Sequence, residues 1–166
     1  MKNRILFFLL VCTTTVIFGQ KKVPNLKLKK MSGETVMLQE YLKNGPVLIN
    51  FWATWCAPCK KEMKYLDAYD KKYKEKGFSV LAVSNDSQKS ISKVRSYIRA
   101  NKLSFHVFLD PSNQVIKKLF ANAMPVLPTN ILVGQDGSVL WRHFGYVPGD
   151  EKKMETEIKT ALQPSL

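Results

Sequence analysis

The chain has 166 residues, 45% of them hydrophobic, and a formal net charge of +13. That length and apolar content suit one domain with a substantial core and exclude a disordered or fibrous chain. A charge of this size suits anionic membrane surfaces or acidic partners, whereas the absence of an arginine-rich run or any recognisable nucleic-acid motif argues against nucleic acid.

Residues 1–19 open with Lys2 and Arg4, continue as a mostly apolar run over 5–18 and end at Gly19, ahead of Gln20, Lys21 and Lys22. A charged start, an apolar stretch short of the roughly 20 residues that span a bilayer as a helix, and a small residue at its end describe a secretory signal peptide. A retained membrane anchor is the alternative reading; a lipid on Cys12 is disfavoured by the bulky Val11 before it. The expected location is therefore exported, in the periplasm or at the outer face of the cytoplasmic membrane, with residues 20–166 as the folded domain. Two of the positive charges, Lys2 and Arg4, leave with the leader, as does Cys12. The remaining lysines are scattered through segments such as "DKKYKEKG" and "EKKMETEIK" and read as solvated helix faces.

Residues 20–30 read as a basic lead-in kept extended by Pro24, and "LKLKKMSGETVML" as a small hairpin around Ser32-Gly33. After Asn44-Gly45-Pro46 comes "VLINF", apolar except for Asn50, which predicts a strand buried on both faces. Over residues 58–76, Met63, Leu66, Tyr69 and Tyr73 recur at helical spacing until Gly77 closes the segment. "FSVLAVS" predicts a second buried strand and residues 88–101 a helix with Ile91, Val94 and Ile98 on one face. "SFHVFLD" is a third strand, Asp110-Pro111-Ser112 opens a short helix reaching Phe120, "NILVGQDGSVLWRHFG" is a hairpin, and residues 150–162 form a last amphipathic helix. Alternating strands and helices predict a parallel core, and the closing hairpin an antiparallel edge: an α/β fold with a central mixed sheet flanked by helices.

Without the leader only two cysteines remain, Cys56 and Cys59, separated by Ala57-Pro58 where a strand gives way to a helix. A bridge closing so small a loop removes little chain entropy and is a poor staple. A metal site needs further ligands, and His106 and His143 stand singly in strand-like segments without zinc-type spacing, so no metal is expected. Reversible disulfide exchange fits the spacing. Pro58 suits a first helical turn, which puts Cys56 at the helix N-terminus, where free N–H groups and the macrodipole favour a thiolate nucleophile. Cys59, one turn further in, is shielded and positioned to resolve a mixed disulfide.

"FWATWCAPC" followed by "KKEM" resembles the active-site segment of thioredoxin-fold proteins, in particular the exported TlpA/ResA-like thiol-disulfide oxidoreductases, with similarity over roughly residues 25–162. "VLPTNILV" is similar to that family's proline loop, and the resemblance makes Pro128 the cis-proline facing the cysteines, with Leu127 offering backbone groups to a substrate peptide; Pro125 is the competing candidate. It also implies a thioredoxin-like domain with an N-terminal hairpin and an extra strand–helix insertion over residues 84–122. Thioredoxins carry a buried Asp six residues before the first cysteine, where this chain has Asn50, and "VLAVSND" lacks the partner lysine. Glu62 stands where ResA-like proteins keep an acid near the thiols, and its spacing from Cys59 puts both on one helix face. Otherwise a Glu in a Lys-rich helix reads as solvated surface. Trp55 reads as part of the surface that meets a partner, Trp52 as packing.

The function expected is thiol-disulfide exchange with cysteine pairs of envelope proteins through Cys56 and Cys59. By resemblance it acts as a reductase resupplied by a membrane thiol donor, apocytochrome c being the family's best-known target, with peripheral membrane association as a further possibility and no cofactor. Two other classes stand beside it: a redox-inactive module docking through its basic surface, and a thiol peroxidase, for which the P-x-x-x-T-x-x-C pattern before Cys56 is missing.

Overall fold

A computed structural model describes residues 21–163; the expected leader at 1–19 lies outside the described residues. Three strands set the frame: β3 (Val47–Trp52), β4 (Ser79–Ser84) and β5 (His106–Leu109) run parallel, and every residue of β3 is buried. A strand with both faces covered has no need of alternation, which is why "VLINFW" reads as one apolar run. β6 (Thr129–Val133) pairs antiparallel with β3, and β7 (Val139–Phe144) with β6. At the other edge β1 (Lys27–Lys30) pairs antiparallel with both β5 and β2 (Thr35–Met37). The seven strands lie in the order β2-β1-β5-β4-β3-β6-β7, so antiparallel strands flank the parallel core on both sides.

Helices cover both faces. On one lie α2 (Ala57–Tyr73), α3 (Ile91–Ala100) and α5 (Asp150–Ala161), which bury Leu66, Val94 and Met154 against Trp52, Val80 and Leu132. On the other, α1 (Leu38–Leu42) and α4 (Gln114–Leu119) cover Ile49, Leu81 and Ile131 with Leu42 and Ile116. Met63, Leu66, Tyr69 and Tyr73 are all buried along α2, as their spacing predicts, and Asp70 ties that helix to β4 by accepting from Val80 N at 2.8 Å. Gly77 ends the segment at φ 84°; a Cβ there would stand 2.0 Å from the Asn44 carbonyl oxygen, so only glycine fits.

The expected insertion is present: α3, β5 and α4 lie between β4 and β6. Two local features add to the expected plan. The lead-in is docked rather than free: Val23 N bonds Gly137 O at 2.9 Å, Val23 and Leu26 are buried, and β1 begins within it at Lys27. The expected hairpin around Ser32-Gly33 forms as β1 and β2, and α1 follows directly from its last residue, Leu38, because Leu38 and Leu42, one turn apart, both find apolar neighbours beneath the sheet. Five residues are too few for a periodic signal to stand out.

Candidate active site

The C-terminal end of β3 delivers the chain to the site. A tight turn, with Cys56 N bonded to Ala53 O at 3.1 Å, connects it to α2. Cys56 is the N-cap, extended at φ −84°, and its Sγ accepts from Cys59 N at 3.3 Å, while Lys60 N closes the first helical bond on Cys56 O. One of the four free N–H groups of the helix start therefore points at the sulfur, which stabilises negative charge there. Cys56 and Cys59 are joined by a disulfide with their Cα atoms 5.3 Å apart, and both are nearly buried. Trp55 beside them is 70% exposed, whereas Trp52 is buried with its ring 5.4 Å from that of Tyr97.

Glu62 is fully buried, so the reading of a solvated surface acid does not hold for it. Its Oε2 accepts from Asn50 Nδ2 at 3.0 Å and its Oε1 from Asn130 Nδ2 at 2.8 Å; Asn50 Nδ2 also donates to Asn130 Oδ1 at 2.8 Å. Asn50 and Asn130 are paired directly across β3 and β6, which aims both amides at one point under α2. Burial pushes the Glu62 carboxyl up to about 8, against the two amide hydrogen bonds that favour its charged form; the nearby Asp150 adds to the rise. Asp150 is itself held below the usual carboxylate range by the Val147 N–H and by His143, whose Nε2 lies 3.0 Å from its Oδ2. The result is a proton-holding group poised near neutrality on the helix face that carries Cys59.

The Leu127–Pro128 peptide bond is cis and leads straight into β6. Leu127 and Pro125 line, with Trp55, Cys56 and Pro58, an open groove of about 520 Å³. Met124 and Val126 on its rim are 49% and 64% exposed. Pro128 itself is buried beneath the groove, its carbonyl accepting from Gly145 N at 2.7 Å. The structure thus gathers Cys56, Cys59 and Glu62 at the start of α2 and sets Trp55 and Leu127 in the groove beside Cys56.

Three groups were not singled out from sequence. Asn130 completes the seat of Glu62; its signal was a polar residue inside the otherwise apolar "NILV", the same anomaly as Asn50 in "VLINF". Asp86 accepts from Thr54 N at 2.8 Å, from the Thr54 hydroxyl and from Ser84 Oγ at 2.9 Å, and so anchors the turn that carries the cysteines. An acid just past a parallel strand, at the carboxyl edge where sites form in open α/β sheets, could have drawn attention to it. Asn85, which donates to Asn113 Oδ1 at 2.8 Å on the groove wall, lies beside Asp86 and gave no signal of its own.

The AhpC/TSA family profile matches residues 20–142. Over 137 residues the chain is 33% identical to the thiol-disulfide oxidoreductase ResA of Bacillus thuringiensis subsp. konkukian, covering 82% of this chain and 73% of that protein. The ResA of Halalkalibacterium halodurans is 32% identical over 146 residues, covering 88% and 77%. Among solved structures, a protein assigned as the thiol:disulfide interchange protein DsbE of Chlorobium tepidum superimposes with a TM-score of 0.77 at 30% identity, covering 87% of this chain and 97% of that one.

Proposed function

Because this chain belongs to the AhpC/TSA thioredoxin-like family and is a thiol-disulfide oxidoreductase, we propose that Cys56 and Cys59 exchange electrons with cysteine pairs of exported proteins, in the reducing direction. The observation that carries the reading is the Cys56–Cys59 disulfide at the N-cap of α2, opening on a groove whose rim exposes Trp55, Met124 and Val126. Exposed apolar side chains around a nearly buried sulfur suit a partner of protein size.

In the reduced protein, the Cys56 thiolate attacks one sulfur of a partner disulfide. The partner S–S bond breaks, a mixed disulfide forms and the partner's freed thiolate takes up a proton. The carboxylate form of Glu62 takes the proton of Cys59, the Cys59 thiolate attacks Cys56 Sγ and restores the Cys56–Cys59 disulfide, and the partner's second sulfur leaves as a thiolate that takes up the proton Glu62 received. Two electrons pass to the partner. A thiol donor at the membrane returns the protein to its dithiol, the leader at residues 1–19 supplies export to the periplasm or the outer face of the cytoplasmic membrane, and the haem-attachment cysteines of apocytochrome c are the substrate to try first. Trp55 and the Leu127 backbone contact the partner from either side of Cys56.

Trapping tests the division of labour. A Cys59→Ser variant is expected to accumulate mixed disulfides with partner proteins, visible on non-reducing gels, and a Cys56→Ser variant is not. Equal trapping by both variants sinks the assignment, and no trapping by either sinks the exchange reaction.

A further inference from the structure

Between Asp86 and Asp110 the sequence contains no acidic residue, yet it contains Lys89, Lys93, Arg95, Arg99 and Lys102. All five are exposed, on the 3-10 turn Gln88–Ser90, on α3 and just after it. α3 lies against the redox end of α2: Tyr97 packs on Trp52 and its hydroxyl reaches Lys60 O at 3.5 Å. Lys60, Lys61 and Lys64, all exposed on the first turns of α2, extend the same positive surface to the cysteines.

Elsewhere acids are interleaved with the cations and five lysines are paired. Lys71 pairs with Asp67, Lys72 and Lys159 with Glu155, Lys30 with Glu34 and Lys22 with Asp136. None of the eight cations named above takes part in an ion pair among the described residues; Arg95 donates only to the neutral carbonyl of Met31, at 2.8 Å. The acids that bracket the segment are buried and occupied. Asp86 is bound by Thr54 and Ser84, and Asp110 accepts from the backbone N–H groups of Gln114, Val115 and Ile116. Asp67, the next acid along α2 after buried Glu62, is taken by Lys71 and Ser104. Random scatter of solvated charge would interleave acids, as α5 does with Asp150, Glu151, Glu155 and Glu157 among its lysines.

We propose that the outer face of α3, together with the first turns of α2, is a docking surface for acidic protein partners and guides their disulfides to Cys56. The inference rests on the exchange reaction proposed above and adds the chemistry of the partner: acidic side chains within a few residues of its reactive cystine. An uncompensated field of one sign beside a reacting atom raises encounter rates by about 10- to 1,000-fold at low salt and rejects like-charged partners. A protein is favoured over a lipid surface by topology. Arg95 holds α3 to the turn after β1, near the β2 edge of the sheet, whereas Lys21 enters against Val139 on β7, at the opposite edge. Any tether reaching the domain through Lys21 arrives on the side away from α3.

The test uses three disulfide-bonded peptides with the same residues next to the cystine and acidic, neutral or basic flanks, reduced by the full-length dithiol protein. At about 20 mM NaCl the acidic peptide is expected to react at least about tenfold faster than the neutral one, and the preference to collapse near 500 mM as the Debye length shrinks. The triple variant K89E/K93E/R99E is expected to abolish or invert the preference while reducing the uncharged hydroxyethyl disulfide at the wild-type rate. The variant K117E/K118E, on α4 across the sheet, is expected to keep the preference. Equal rates for the three peptides at low salt overturn the proposal, as does equal loss in both variants. Binding to phosphatidylglycerol vesicles that the triple variant loses, without a peptide preference, also overturns it and makes the face a lipid surface. Should no peptide be reduced at all, the exchange reaction fails separately. Fluorescence anisotropy with cysteine-free versions of the peptides then still decides, tighter binding of the acidic one supporting the surface and equal binding overturning it.

Discussion

At the scale of single residues, the buried polar centre under α2 is built from Glu62 and the two asparagines that hold it. Asn50 stands where an acid was expected from the thioredoxin pattern, and the acid stands instead on α2, with both its oxygens satisfied by amides from β3 and β6. A buried carboxyl with its proton affinity raised to about 8 has a consequence for stability that can be signed. The folded state holds the proton more tightly than the unfolded chain, so the stabilising contribution is complete below the ordinary glutamate value of 4.5 and is lost as pH rises through about 8. For the oxidised protein, the unfolding free energy of wild type relative to Glu62→Gln is expected to fall by about 4 kcal/mol between pH 5 and pH 9. Denaturant titrations at three pH values measure it, and the histidines cancel because both proteins carry them. Parallel pH profiles would mean that Glu62 has an unshifted carboxyl. Cys56 and Cys59 were legible in the sequence because their chemistry is local: the spacing, Pro58 and the strand-to-helix switch sit in one stretch. Asn130 was not, since its role arises from pairing with Asn50 across 80 residues of chain.

At the scale of elements, the thiols depend on a turn rather than on a helix alone. α2 would form from its own apolar spacing, but the approach of residues 53–55 to its first turn is fixed from outside by Asp86, 32 residues away from Thr54. The Asp86 carboxyl is buried and gathers the Thr54 N–H, the Thr54 hydroxyl and Ser84 Oγ. Removing such a group strands one buried and two part-buried donors at once, so Asp86→Ala is expected to cost about 2–4 kcal/mol, and Asp86→Asn, which keeps part of the bonding, about half as much. Thermal unfolding of the oxidised proteins reads the cost. Loosening of the turn predicts in addition a slower reaction of the Asp86→Asn dithiol with hydroxyethyl disulfide under conditions where it remains folded. Unchanged stability in the alanine variant would show that water replaces the carboxyl without loss, and that the turn holds its own shape. The element order was legible because buried strands and an amphipathic α2 announce themselves by period. α1 was not, because a single turn with Leu38 and Leu42 as its only buried residues is indistinguishable from a strand end until its neighbours are known.

At the scale of the whole molecule, charge is the property that composition announces and the fold distributes. A formal charge of +13 repels itself in the compact state, and surface ion pairs of the kind seen here return little, about 0–1 kcal/mol each. Because the cations cluster on α3 and the start of α2 instead of spreading evenly, part of that repulsion is local to the proposed docking face. Salt separates the two contributions. Raising NaCl from about 20 to 500 mM shortens the Debye length from roughly 20 Å to below 5 Å, which relieves repulsion between exposed charges and weakens exposed pairs at the same time. With many more unpaired cations than paired ones, relief dominates, and Tm is expected to rise by about 2–4 °C over that range, corresponding to roughly 1 kcal/mol for a chain of this length. The K89E/K93E/R99E variant, which removes the local excess, is expected to start at a higher Tm than wild type in low salt and to converge with it in high salt. A wild-type Tm that falls with NaCl would mean that the pairs on α2 and α5 outweigh the repulsion. A triple variant no more stable than wild type at low salt would mean that the cations of α3 are too far apart to feel one another, and too dispersed to steer a partner toward Cys56.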